Sequence, residues 1–230
     1  MKKISKMTLT VLGLAFMAVP TLRAEFSGNQ LQGKALPPVT ERPATVIGPV
    51  DGIAAAKGAS LLTLQEGSIL YIAGDSTLHK YELGAKSLKG SAAVPSGDLA
   101  KTLQAGKVKT MTLVVPVTSL KSKESGLDDN AYKALLAKDN PDITFVLKSE
   151  KVAGDVMTAK GDLTIAGVTQ AVTLTPKVEV KDGSVRLTGS QKLKMTDYKI
   201  TPPSVSLVVT SITCTDEIEI HYDVTFAAAK

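Results

Sequence analysis

The C-terminal segment restricts this chain more than any other feature. From Glu217 to Phe226 apolar and polar residues alternate without a fault: Ile218, Ile220, Tyr222, Val224 and Phe226 on one side, Glu217, Glu219, His221, Asp223 and Thr225 on the other. Successive side chains of an extended chain point to opposite faces, so this is a strand with one buried and one wet face. The same period recurs upstream. Val172, Leu174, Val178 and Val180 form an inward set against Thr173, Thr175, Lys177 and Glu179. Val185, Leu187 and Leu193 oppose Arg186, Thr188 and Lys192. Further inward sets are Ile143, Phe145 and Leu147, then Leu163 with Ile165, and Met111, Leu113, Val115 and Val117.

Turn signals separate these runs: Ala153-Gly-Asp155, Ala166-Gly167 and Lys181-Asp-Gly183. The last predicts a tight hairpin, because Asp-Gly supplies the positive φ angles such turns require. One stretch breaks the pattern. Gly126 to Pro141 holds Asp and Asn, helix formers and a terminating proline, and reads as a short helix. Asp128, Asp129 and Asn130 are read as its caps, since their spacing lacks the glycine and closing glutamate of a calcium loop. The sum is an all-β chain of about eight antiparallel strands, with one helix inserted between the third and fourth. An eight-stranded sheet hides its edges by closing into a barrel. Such a barrel is just wide enough inside for side chains or one elongated small ligand.

The N-terminus has a different character. Lys2, Lys3 and Lys6 precede the apolar run Met7 to Val19, followed by Pro20 and Thr21-Leu-Arg-Ala24. That order is the order of a secretory signal, with cleavage expected after Ala24, and the run is too short to span a bilayer. The expected compartment is therefore periplasmic or secreted, with no integral membrane span once the signal is removed. Four of the 27 basic residues lie in the signal and no acidic one does, so the remainder stands at 23 against 22. A near-neutral balance removes the support for nucleic-acid binding. Residues 25–60, with Pro37, Pro38, Pro43 and Pro49, read as a flexible spacer, within which Ala-rich 53–64 allows a short helix. Residues 61–230 are then the barrel domain.

At this point the wording resembles a known family. Ser68-Ile-Leu-Tyr-Ile-Ala-Gly74 and Ser76-Thr-Leu-His-Lys-Tyr81 come first. Asn140-Pro-Asp-Ile-Thr-Phe145, Gly161-Asp-Leu-Thr-Ile-Ala-Gly-Val-Thr-Gln-Ala-Val-Thr-Leu174 and Leu193-Lys-Met-Thr-Asp-Tyr-Lys-Ile200 follow in order. From Gly67 to Phe226 the chain resembles the YceI-like, polyisoprenoid-binding family of exported proteins. The resemblance implies a lipocalin-like antiparallel barrel whose long apolar channel holds an isoprenoid or another long-chain amphiphile. It also implies no enzymatic activity. On that reading the channel is lined by Ile72, Tyr81, Leu83, Met111, Leu113, Val115, Phe145, Leu163, Ile165, Val172, Leu174, Leu187, Tyr222 and Val224. A lining of this kind takes an aliphatic chain out of water at roughly 25 cal/mol per Å² of apolar surface. Periodicity alone does not tell such a channel from a filled core.

The remaining chemistry-bearing residues have plain readings. His79 and Tyr81 sit in a Ser/Thr-rich turn at the start of the second strand, as a turn-stabilising and a packed residue, or near a barrel mouth where they meet a ligand headgroup. His221, between Glu219 and Asp223, reads as a solvated surface residue. Cys214 is the only cysteine, which rules out an internal disulfide. A buried thiol is the expected state, and pairing between chains in a homodimer is the alternative. No nucleophile–base motif is present, and neither a metal nor a cofactor is expected. The competing architectures are an outer-membrane barrel, disfavoured by the lack of Trp and the 4% aromatic content, and a stress or interaction module with a filled core.

Overall fold

The computed structural model describes residues 44–46, 58–206 and 211–228. Its centre is a closed, eight-stave antiparallel barrel. β1 (Thr45–Val46) lies outside the ring; β2 (Ala59–Leu64) and β3 (Ile69–Ser76) form the first stave, β4 (Tyr81–Ala85) and β5 (Ser87–Pro95) the second. β6 (Thr110–Pro116) and β7 (Leu120–Lys121) form the third, and β8 (Asp142–Ala153) and β9 (Val156–Ile165) the fourth and fifth. β10 (Val168–Leu174) and β11 (Lys177–Lys181) make the sixth and β12 (Ser184–Lys194) the seventh. After short β13 (Ser204–Ser206), β14 (Ser211–Ala228) is the eighth. Closure rests on β14. It pairs Leu187 with Val224 on one side, and on the other meets β3 at Ile72↔Ile220 and β2 at Leu64↔Phe226. β2 in turn pairs with β5 at Leu62↔Ala92. The ring thus leaves β14 no free edge along most of its length, the advantage of closing a sheet.

Alternation along the staves places Leu62, Leu64, Leu70, Leu83, Leu88, Phe145, Leu163, Leu187, Val224 and Phe226 in one core. Two tyrosine rings fill space that only glycine leaves free. Gly74 is the register partner of Tyr81 and Gly189 that of Tyr222, and a Cβ at either glycine would collide with the ring opposite. The Asp-Gly hairpin forms as read, with Asp182 and Gly183 at φ 50° and 75°. Ala166 and Gly167 repeat it at 49° and 76° between β9 and β10.

The inserted helix is α2 (Ser125–Ala134). It is preceded by α1 (Leu99–Gln104), which periodicity does not reveal because it is under two turns long. Asp98 caps α1, accepting from the Lys101 N–H at 3.1 Å.

Several expectations are corrected. Of the stretch 53–64, residues 53–57 lie outside the described residues, and Ala59–Leu64 is strand β2 rather than helix. Ala44–Val46, inside the segment read as spacer, joins the fold: Ala44 is buried and β1 runs parallel to β5. Val180 is exposed, because β11 runs past the end of β9, with which it pairs only at Lys177↔Val156. Asp128 does not cap α2; the capping position belongs to Glu124, whose side chain makes no cap hydrogen bond. His221 is not solvated. It stacks on Tyr71, its partner across β3, with centroids 4.6 Å apart and planes 8° from parallel. Tyr71 forms a small outer cluster with Ile69 and Ala73.

Candidate functional site

One end of the barrel encloses a cavity of about 310 Å³. Its wall comes from Ile72 and Ser76 of β3, Tyr81 and Leu83 of β4, Ile143 of β8, Ile165 of β9, and Ile212, Cys214, Ile218 and Ile220 of β14. Its cover comes from α2 and from the 3-10 turn Met195–Tyr198 with Ile200 and Pro203. Leu127, Ala131, Ala134 and Leu135 face the cavity at the spacing of one helical face. A second cavity of about 80 Å³ lies among Met111, Leu113, Val115, Phe145, Met157, Leu163, Leu187, Tyr222 and Val224. Ile72, Ile143 and Ile220 line both.

The cover is fixed by polar contacts outside the cavity. Asp128, buried at the start of α2, accepts from the Ser122 N–H at 2.7 Å and its hydroxyl at 2.8 Å, with the Lys121 ammonium 3.5 Å away. Burial alone would raise its pKa; the Ser122 hydrogen bonds and Lys121 outweigh that and hold it below the ordinary range. The Tyr132 hydroxyl donates to the Leu120 carbonyl at 2.7 Å, and Lys121 sits 5.0 Å over its ring. The 3-10 turn is tied down by Asp216, which accepts from the Thr196 N–H and hydroxyl at 2.9 and 2.8 Å. Gln170 donates to the Asp197 carbonyl at 2.8 Å.

Polar groups gather at one side of the larger cavity. The Ser76 hydroxyl organises the β3–β4 turn, accepting from the His79 N–H at 3.1 Å and donating to the His79 carbonyl at 2.7 Å. His79 Nε2 faces Glu124 Oε1 at 3.6 Å, bridging that turn to the start of α2. Asn130 completes the group. Burial, then the Cys214 thiol, pushes the Tyr81 phenol well above its ordinary range. Burial pushes the Cys214 thiol up as well, against a hydrogen bond from Tyr81, so it stays protonated at neutral pH. The Tyr198 and Tyr222 phenols are pushed up to about 12 by burial.

The structure gathers the sequence-derived residues closely. Ile72, Tyr81, Leu83 and Ile165 line the larger cavity. Ile72 again, with Met111, Leu113, Val115, Phe145, Leu163, Leu174, Leu187, Tyr222 and Val224, lines the smaller. Val172 lines neither and packs at the edge of the core. The cover was not anticipated: Leu127, Ala131 and Leu135 of α2, and Met195, Tyr198 and Ile200 after β12. The four-residue spacing of the α2 residues was its one available signal. Among the described residues no lysine or arginine lines either cavity. Among the described residues no three His, Cys, Asp or Glu side chains converge as a metal site.

The family model for the YceI-like domain matches residues 73–226, well over half of the chain. The chain belongs to the YceI-like family. Among solved structures, the barrel resembles BcnA of Burkholderia cenocepacia at a TM-score of 0.56 and 19% identity, covering 69% of this chain and 95% of that one. It also resembles a polyisoprenoid binding domain from Saccharophagus degradans, implicated in plant cell wall breakdown, at 0.55 and 10% identity over 73% and 98%. At these identities the likeness is one of fold. No curated protein matches the sequence. In this YceI-like chain the barrel holds two apolar hollows that share Ile72, Ile143 and Ile220.

Proposed function

We propose that the protein is an exported, non-enzymatic binding protein that holds an isoprenoid or another long-chain amphiphile inside its barrel, for carriage or sequestration. The observation that carries this reading is the cavity of about 310 Å³, lined mostly by apolar side chains with its polar groups gathered at one side. A filled core leaves few voids larger than a water molecule, whereas ligand pockets begin at about 300 Å³. The apolar part of the hollow rewards burial of a hydrocarbon chain. Ser76, His79, Asn130 and Glu124 stand where a head group would lie. With no lysine or arginine among the described lining residues, the reading favours an uncharged head over a phosphate. The polyisoprenoid-binding description of the Saccharophagus relative agrees with it, and the basic-then-apolar N-terminus supports export.

Native mass spectrometry of the protein released by osmotic shock, followed by solvent extraction, tests the reading. A stoichiometric long-chain lipid is expected. A clean unliganded mass that persists when polyprenyl lipids are offered would contradict it, and retention in the cytoplasm would contradict the export part alone.

A further inference from the structure

The two cavities meet at three isoleucines. Ile72 and Ile220 are direct register partners on neighbouring staves β3 and β14. Ile143 belongs to β8, separated from β14 round the ring by the three staves of β9, β11 and β12 and outside the pairing of either. All three line both the larger and the smaller hollow, so they form the neck between them. The neck is apolar throughout, and β-branched side chains at such positions have few rotamers to choose from. The hollows differ about fourfold in size, at about 310 and 80 Å³. An apolar cavity of about 150 Å³ accommodates one benzene, so the larger hollow has room for about twelve carbon atoms and the smaller for only a few more.

We infer that Ile72, Ile143 and Ile220 set the length of hydrocarbon chain the protein accepts. The inference rests on the lipid-binding reading and adds its specificity. A chain of two isoprene units, ten carbon atoms, fits the outer hollow and stops against the neck. A third unit brings the count to about fifteen, the capacity of both hollows together. A longer chain enters the inner hollow only if these side chains part, which costs packing on all three staves. Narrowing the neck therefore shortens the preferred ligand, and opening it lengthens the preferred ligand.

The test compares the purified full-length protein with its Ile143→Ala and Ile143→Phe variants, using geraniol, farnesol and geranylgeraniol as probes in equilibrium binding. The unaltered protein is expected to bind farnesol best. Ile143→Ala should raise geranylgeraniol binding at least fivefold relative to farnesol. Ile143→Phe should lower farnesol binding at least fivefold relative to geraniol. Ile72→Val, a milder truncation of the same neck, should move the first ratio about twofold and keeps the question answerable if Ile143→Ala does not fold. Binding of all three alcohols in unchanged ratios by folded variants would overturn the inference while leaving the lipid-binding reading intact. Failure of the unaltered protein to bind any of them would overturn both.

Discussion

Leu113 points into the inner hollow from β6, and Met111 lies beside it on the same face. An arginine at 113 would carry a charge into a lining with no partner for it, and an unpaired buried charge is strongly penalised. Leu113→Arg or Met111→Lys should lower lipid uptake at least tenfold in an extraction assay while circular dichroism still reports a folded barrel. Full uptake by a folded variant would remove these residues from the channel. Outside the barrel, Asp223 is buried and accepts from the Arg186 guanidinium at both oxygens, with Nε at 2.7 Å. Arg186→Ala leaves that carboxylate unpaired and should cost about 2 kcal/mol in denaturant unfolding, as lost hydrogen bonds to a charged group do. The buried phenols give a pH signature. Tyr198 and Tyr222 ionise near pH 12 in the folded barrel, against about 10 when exposed. The native state therefore keeps protons that the unfolded chain gives up, so their stabilisation is complete below pH 10 and is lost as pH rises through 12. Ultraviolet titration should show these phenols ionising together with loss of the fold.

At the scale of elements, α2 covers the larger cavity, and on the lipid-binding reading it is expected to shift when a ligand enters. It is ten residues long, and it is seated by Asp128, Tyr132 and the His79–Glu124 contact rather than by sheet hydrogen bonds. Such elements belong to the low-stability end of a structure. Hydrogen exchange of α2 amides should be faster than that of β12 and β14 in the lipid-free protein, and should slow at least tenfold when the cavity is filled. Equal protection in both states would show that the helix is no gate. Glycine positions mark a second elemental constraint: Gly189→Val drives a side chain into the Tyr222 ring and should destabilise the β12–β14 pair by about 2 kcal/mol, measurable as a shift in thermal midpoint. Strand alternation, both hairpin turns and the inserted helix were legible because each is written in residues a few positions apart. α1 was not, being only six residues long. The real task of Asp128 was hidden as well: its partner Ser122 lies before the helix rather than at its cap.

For the molecule as a whole, alternation gives each strand its faces but not its neighbours. Closure depends on β14 meeting β2, β3 and β12 at once, contacts between residues more than a hundred positions apart for the first two. It was inferred from the need to hide edges, and the barrel satisfies that need. The hollow was the least legible feature. An inward Leu or Ile reads the same in a filled core and in a cavity wall, because the difference is a volume shared by many staves and by the α2 cover. Methyl-labelled NMR of the protein with farnesol addresses that difference most directly. The account predicts shifts and ligand contacts at the methyl groups of Ile72, Leu83, Leu127, Ile143 and Ile220, with the outward-facing Val156 and Val180 silent. A ligand whose contacts fall on the outer methyl groups, with the inner ones unmoved, would contradict it.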